Sequence, residues 1–111
     1  MTEKGRKYCS DILRAIDLIA EFTVDISEYD DYLSDGKTQS AVERQLGIVG
    51  EALNSLLKAE PHLKIENQEK IIGLRNRLIH SYDGIDPSIV WVIMHRYLPK
   101  LKNEVEAICV N

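Results

Sequence analysis

Apolar side chains recur along this chain at steps of three and four, and few segments alternate at steps of two. That pattern predicts helices throughout and no half-buried strand. Tyr8, Ile12, Ile16 and Ile19 share one face of a first helix over Glu3 to Phe22, with Thr2 as its N-cap. An acidic stretch from Asp25 to Asp35 carries Tyr29, Tyr32 and Leu33 and reads as a short helical turn ended by Gly36. The second long helix covers Lys37 to Ala59. Its Val42, Leu46, Val49, Leu53 and Leu56 alternate steps of four and three, the seam of a close helix pair. Gly47 and Gly50 lie inside it at about 1 kcal/mol each relative to Ala, which implies that another helix approaches there. Pro61 stops it.

A third helix is expected from Asn67, its candidate N-cap, to His80, with Ile71, Leu74 and Leu78 as the buried stripe. Asp83-Gly84 breaks it. Asp86 then caps a fourth helix that opens on Pro87. Val90, Met94, Tyr97, Leu101, Val105 and Ile108 form its stripe, and Pro99 should kink it near His95 by removing a backbone hydrogen bond. The sequence therefore predicts an all-α, up-and-down four-helix bundle with an extra short helical segment, one domain over residues 1–111.

Composition narrows what such a bundle does. Hydrophobic residues make up 44% and charged residues 29%, ordinary for a globular domain. The longest apolar run, Ile89 to Met94, falls far short of a membrane span, and no secretory signal opens the chain, so a cytoplasmic protein is expected. Cys9 and Cys109 show no metal-ligand spacing and read as reduced core or boundary residues. The acidic run Glu28, Asp30, Asp31 and Asp35 lacks the spacing and closing Glu of a calcium loop and reads as a solvated face. With no Cys, His or Asp ligand cluster beside Arg75–His80, no metal or other cofactor is expected. The net charge of −4 argues against gripping nucleic acid by bulk electrostatics. Any RNA contact must be local, on Arg75, Arg77 and His80 with the basic residues His95, Arg96, Lys100 and Lys102.

The chemically informative segment is Gly73-Leu74-Arg75-Asn76-Arg77-Leu78-Ile79-His80-Ser81-Tyr82. Asn76 and His80 are four apart and share a helix face. Arg75 and His80 are five apart, about 140° around the helix, and converge only if the helix frays at His80. A permanent cation, an amide and a titratable imidazole at a helix C-terminus suit metal-free RNA cleavage. There the 2′-hydroxyl attacks the adjacent phosphate, helped by a base, an acid and a cation. One chain supplies one such histidine; a two-fold dimer would supply two. The same three residues also make an ordinary polar rim, and spacing alone leaves both readings open. His62 reads as a solvated loop residue, His95 as a surface or interface residue, and Trp91 as core or interface.

A resemblance adds to this. Arg75-Asn76-x-x-x-His80-x-Tyr82 is similar to the signature of HepT-like toxins, a branch of the HEPN superfamily. Gly47-x-x-Gly50-Glu51-Ala52, Ile71-Ile72-Gly73-Leu74-Arg75-Asn76 and Leu98-Pro99-x-Leu101 resemble its other motifs in the expected order. The resemblance implies a HEPN-like fold and a homodimeric endoribonuclease of the toxin–antitoxin type. It implies that Arg75 and His80 are the catalytic pair and that Asn76 is the polar residue beside them. It also implies that Tyr82 is the residue to which an MntA-like nucleotidyltransferase antitoxin adds AMP. Arg77 and Glu51 are further candidates for substrate contact. A HEPN module that binds nucleotide or a partner protein without cutting RNA is the alternative, and a purely structural helical subunit is another.

Overall fold

The computed structural model describes residues 1–80 and 84–109. Helix α1 runs Glu3–Phe22, and the Thr2 side chain accepts from the Gly5 N–H as the cap. A short α2 covers Tyr29–Leu33 and a long α3 Gly36–Ala59. Gly36 therefore opens α3 rather than ending the acidic turn. Asp35 decides this, because its carboxylate accepts from the N–H and hydroxyl of Thr38 at 3.0 and 2.7 Å, a favourable start for a helix. Helix α3 stops at Ala59, and Glu60, held before Pro61, leaves helical geometry (φ −128°, ψ 73°).

Helix α4 spans Gln68–His80. Asn67 sits at its start in the left-handed region (φ 64°), which Asn tolerates better than most residues. Its carbonyl takes the first helical hydrogen bonds, from Lys70 and Ile71. Gln68, the first residue of α4, reaches back instead, its Oε1 accepting from the Ile65 N–H at 2.9 Å and tying the entering chain to the helix start. Beyond α4, Gly84 has φ +85° and Asp86 caps α5, Pro87–Val92. The kink expected from Pro99 takes the form of a π turn over Ile93–Tyr97, before α6 at Leu98–Cys109. Pro99 has no N–H for the His95 carbonyl, and the Leu98 N–H reaches back five residues to the Ile93 carbonyl.

Helix α3 is the centre. It packs against both α1 and α4, while α6 lies along α1 and α2 bridges α3 and α5. The predicted seam Val42, Leu46, Val49, Leu53 and Leu56 is fully buried, as is Ile12 of α1, and Ile16 and Ile19 are buried beside it. Truncating any of the large members to Ala should cost about 2–5 kcal/mol. Tyr8 is only half-buried, and Cys9 beside it belongs to the core. Burial, then the neighbouring Cys109 thiol, pushes the Cys9 thiol up to about 12. Tyr32 is buried on α2 and its ring lies 5.6 Å from that of Trp91, which also packs on Tyr29 and His95. The fold is all-α; the described residues contain no strand.

Candidate functional site

Glycine decides where Arg75 can be. A Cβ on Gly50 would overlap the Arg75 Cβ and stand 3.2 Å from the Ile71 carbonyl oxygen. Without it, α4 comes close enough to α3 for the stem of Arg75 to lie on the α3 backbone. That is the close approach the sequence implied for Gly50. Gly47 meets nothing within 4 Å, so its backbone stays open.

The guanidinium is held on two sides. Glu51, one residue past Gly50, pairs with one terminal nitrogen. Asn76 accepts from the other at 2.8 Å. The Arg75 side chain is 25% exposed and that of Glu51 55%. Such an ion pair adds little stability, of order 0–1 kcal/mol, but it fixes the direction of the cation. The Arg75 Nε is buried without a partner among the described residues. Around this group runs a groove of about 480 Å³ lined by Tyr8, Arg44, Gly47, Ile48, Glu51, Arg75 and Ile79. Ile48 and Ile79 are 37% and 56% exposed on its walls.

His80 is exposed in the last described residue of α4, which stays helical up to that point. The fraying that would bring it back to Arg75 does not occur before His80. Asn76 shares its face one turn earlier; Arg75 does not. Within one chain the structure gathers Arg75, Asn76 and Glu51 and leaves His80 beside them on the helix end. Tyr82 lies outside the described residues.

Arg77 is separated from this group. It lines a second groove of about 550 Å³, with Lys70 and Leu74 of α4 facing Ile89, Val92, Ile93 and Tyr97. Nothing local in the sequence announced that groove, because Lys70 and Tyr97 belong to different helices. The basic residues of the last helix are partly answered: Lys100 lies 3.9 Å from Glu66 and Lys102 3.2 Å from Asp17. His95 packs on Trp91 with Nδ1 2.9 Å from the Trp91 carbonyl oxygen, and His62 is an exposed residue after α3. Among the described residues, no group of three or more His, Cys, Asp or Glu side chains could hold a metal ion. No described helix is long and apolar enough to cross a membrane.

Comparison with known proteins matches residues 12–108 to the family described as ribonuclease HepT-like. A Thermococcus cleftensis protein provisionally named ribonuclease HepT is 37% identical over 107 residues, 96% of each chain. A provisionally named RNase of Methanocaldococcus jannaschii is 36% identical over 93% of this chain and 94% of its own. Another, from Caldanaerobacter subterraneus subsp. tengcongensis, is 34% identical over 93% and 92%. No solved structure gives a significant match.

Proposed function

The chain belongs to the ribonuclease HepT-like family, and on that premise we propose that it is a homodimeric endoribonuclease whose site is built on Arg75, Asn76 and His80. The observation that carries this reading is the seating of Arg75 on Gly50, its guanidinium held between Glu51 and Asn76, the latter one turn before His80 on α4. A planar, permanently charged fork fixed in that way suits a phosphate. Incoming phosphate exchanges with the exposed Glu51 carboxylate, which holds the cation ready until then.

The reaction requires no group from outside the RNA except a base and an acid. The 2′-hydroxyl gives up its proton and its oxygen forms a new bond to phosphorus. The bond from phosphorus to the 5′-oxygen breaks, and that oxygen takes a proton from the acid. The products are a 2′,3′-cyclic phosphate and a 5′-hydroxyl. Two copies of His80 supply base and acid, and Arg75 stabilises charge on the phosphoryl oxygens.

The exposed Ile48 and Ile79 beside the open backbone of Gly47 support a two-fold dimer through this face. Burying those side chains against a second copy removes apolar surface from water and brings two Arg75–His80 ends together. The family resemblance further supports a toxin of the cytoplasm, silenced when an MntA-like nucleotidyltransferase adds AMP to Tyr82. The added phosphodiester would occupy the place of a substrate phosphate beside Arg75.

The test is cleavage of single-stranded RNA after EDTA treatment. Wild type should leave cyclic phosphate ends, and His80→Ala should lose the activity with unchanged circular dichroism. Activity that requires added magnesium would overturn the mechanism. Failure of wild type to cut at all would leave the non-catalytic binding module. After incubation with the antitoxin and ATP, intact mass should rise by one AMP in wild type and not in Tyr82→Phe.

A further inference from the structure

We infer that the groove between α4 and the π turn is a subsite for one unstacked base of single-stranded RNA, adjoining His80 and distinct from the Arg75 pair. The inference rests on the nuclease reading for the identity of the polymer. The groove itself is observed. At about 550 Å³ it falls within the range of small-molecule sites. Its floor is the buried Leu74 and Ile93, and its rim includes Val92, 44% exposed.

Three features point to a nucleotide. The first is charge. Lys70 and Arg77 line the groove against the single carboxylate of Glu69, in a chain whose net charge is −4. Like most of the chain's exposed cations, Arg77 has no carboxylate partner among the described residues, and it is the groove that sets it apart. An unpaired guanidinium over an apolar slot is what a base with a flanking phosphate requires.

The second feature is the aromatic wall. Tyr97 is half-buried there, and its hydroxyl accepts from the Lys70 ammonium at 3.1 Å, with that nitrogen 5.3 Å from the ring centroid. The contact fixes the ring as a stacking face and sets a cation at its edge. Tyr97 closes the π turn, whose extra residue changes the direction of the side chains that follow Val92. Such turns are frequent at functional sites, and here Pro99 supplies the backbone cause.

The third feature is position. Arg77 and His80 are three residues apart on α4, about 60° around the helix, whereas Arg75 is about 140° from His80. A strand whose scissile phosphate lies at the end of α4 therefore has the groove beside His80, ready for the neighbouring base. Glu69 supplies an acceptor for an amino group on that base, and so a means of preferring one base over another.

The experiment measures binding rather than cutting, so its failure is distinct from failure of the nuclease reading. The probe is a short single-stranded RNA with 2′-deoxyribose at the scissile position and 2-aminopurine on either side of it in turn. With the full chain, aminopurine emission should change on binding for one of the two placements. Val92→Trp fills the groove mouth and should weaken binding about tenfold, the worth of one stacked base. Arg77→Gln, at an exposed position that folding does not depend on, should also weaken it. An abasic residue at the responsive position should cost wild type about tenfold and Val92→Trp nothing further. Wild-type affinity in both variants, with no penalty for the abasic residue, would overturn the subsite. Unchanged RNA affinity combined with loss of antitoxin binding would assign the groove to a protein instead, and would overturn it equally.

Discussion

Arg75 and Arg77 are two residues apart on the same helix, yet the fold gives them opposite surroundings. Arg75 lies with its stem on the backbone of Gly50 and its guanidinium divided between Glu51 and Asn76. Arg77 is exposed, lines a largely apolar groove, and has no carboxylate partner among the described residues. Helical geometry alone accounts for the separation, since two residues turn the side chain by about 200°. What it teaches is that fixed and free cations serve different tasks. A cation already aimed loses little freedom when a phosphate arrives, which favours the transition state. A free one gains a partner on binding and contributes to affinity.

That contrast can be broken by kinetics, where the largest effect is expected. Arg75→Ala should lower kcat by about 10²–10³-fold, while Arg77→Ala should act through KM, by roughly tenfold. Single-turnover and steady-state cleavage of one RNA by both variants would show it. Equal losses in kcat would mean that the two arginines share one task.

The next effect is on stability and concerns the glycine beneath Arg75. Gly50→Ala must push α4 away from α3, because the new Cβ meets Arg75 and the Ile71 carbonyl. A loss of about 1–3 kcal/mol in urea unfolding is expected, as for other overpacked sites. Gly47→Ala has open space and should instead gain up to about 1 kcal/mol from helix propensity. A loss at Gly47 that grows with protein concentration would place that residue against the second copy.

The smallest effect separates the two walls by pH. Asp35 caps α3, which carries Gly50 and Glu51, and Asp86 caps α5, the far wall of the Arg77 groove. Hydrogen bonds from the hydroxyl and N–H of Thr38 hold the Asp35 carboxyl below its ordinary value. Those from the N–H and hydroxyl of Ser88 do the same for Asp86. Folded values below the unfolded ones mean that this stability is present above the unfolded pKa, about 3.9. It is lost as pH falls through the lowered folded values. Melting temperature should therefore drop below about pH 4, and Asp35→Asn should flatten that acid limb by a few degrees. An unchanged limb in the variant would remove Asp35 from the account.

Much of this was legible in the sequence because it depends on neighbours along the chain. The α1 boundaries and the Thr2, Asp86 and Pro87 signals all concern groups within a few residues of one another. The buried seam of α3 is likewise a periodicity. Gly36 suits two roles, the end of an acidic turn or the first position behind an Asp cap, and Asp35 with Thr38 selects the latter. Asn67 marks the start of α4 but through its backbone carbonyl, which accepts from Lys70 and Ile71.

The sequence by itself determined the helices, their buried faces and the residues able to handle a phosphate, since each follows from local geometry and side-chain chemistry. Only the tertiary structure decided that Gly50 of α3 receives Arg75 of α4, that Glu51 aims it, and that Lys70 and Tyr97 close a groove around Arg77. These pairings join residues 24 to 27 positions apart on different helices. Their distances are set by how α3, α4 and the π turn pack, and packing is a property of the assembled core that local spacing does not specify.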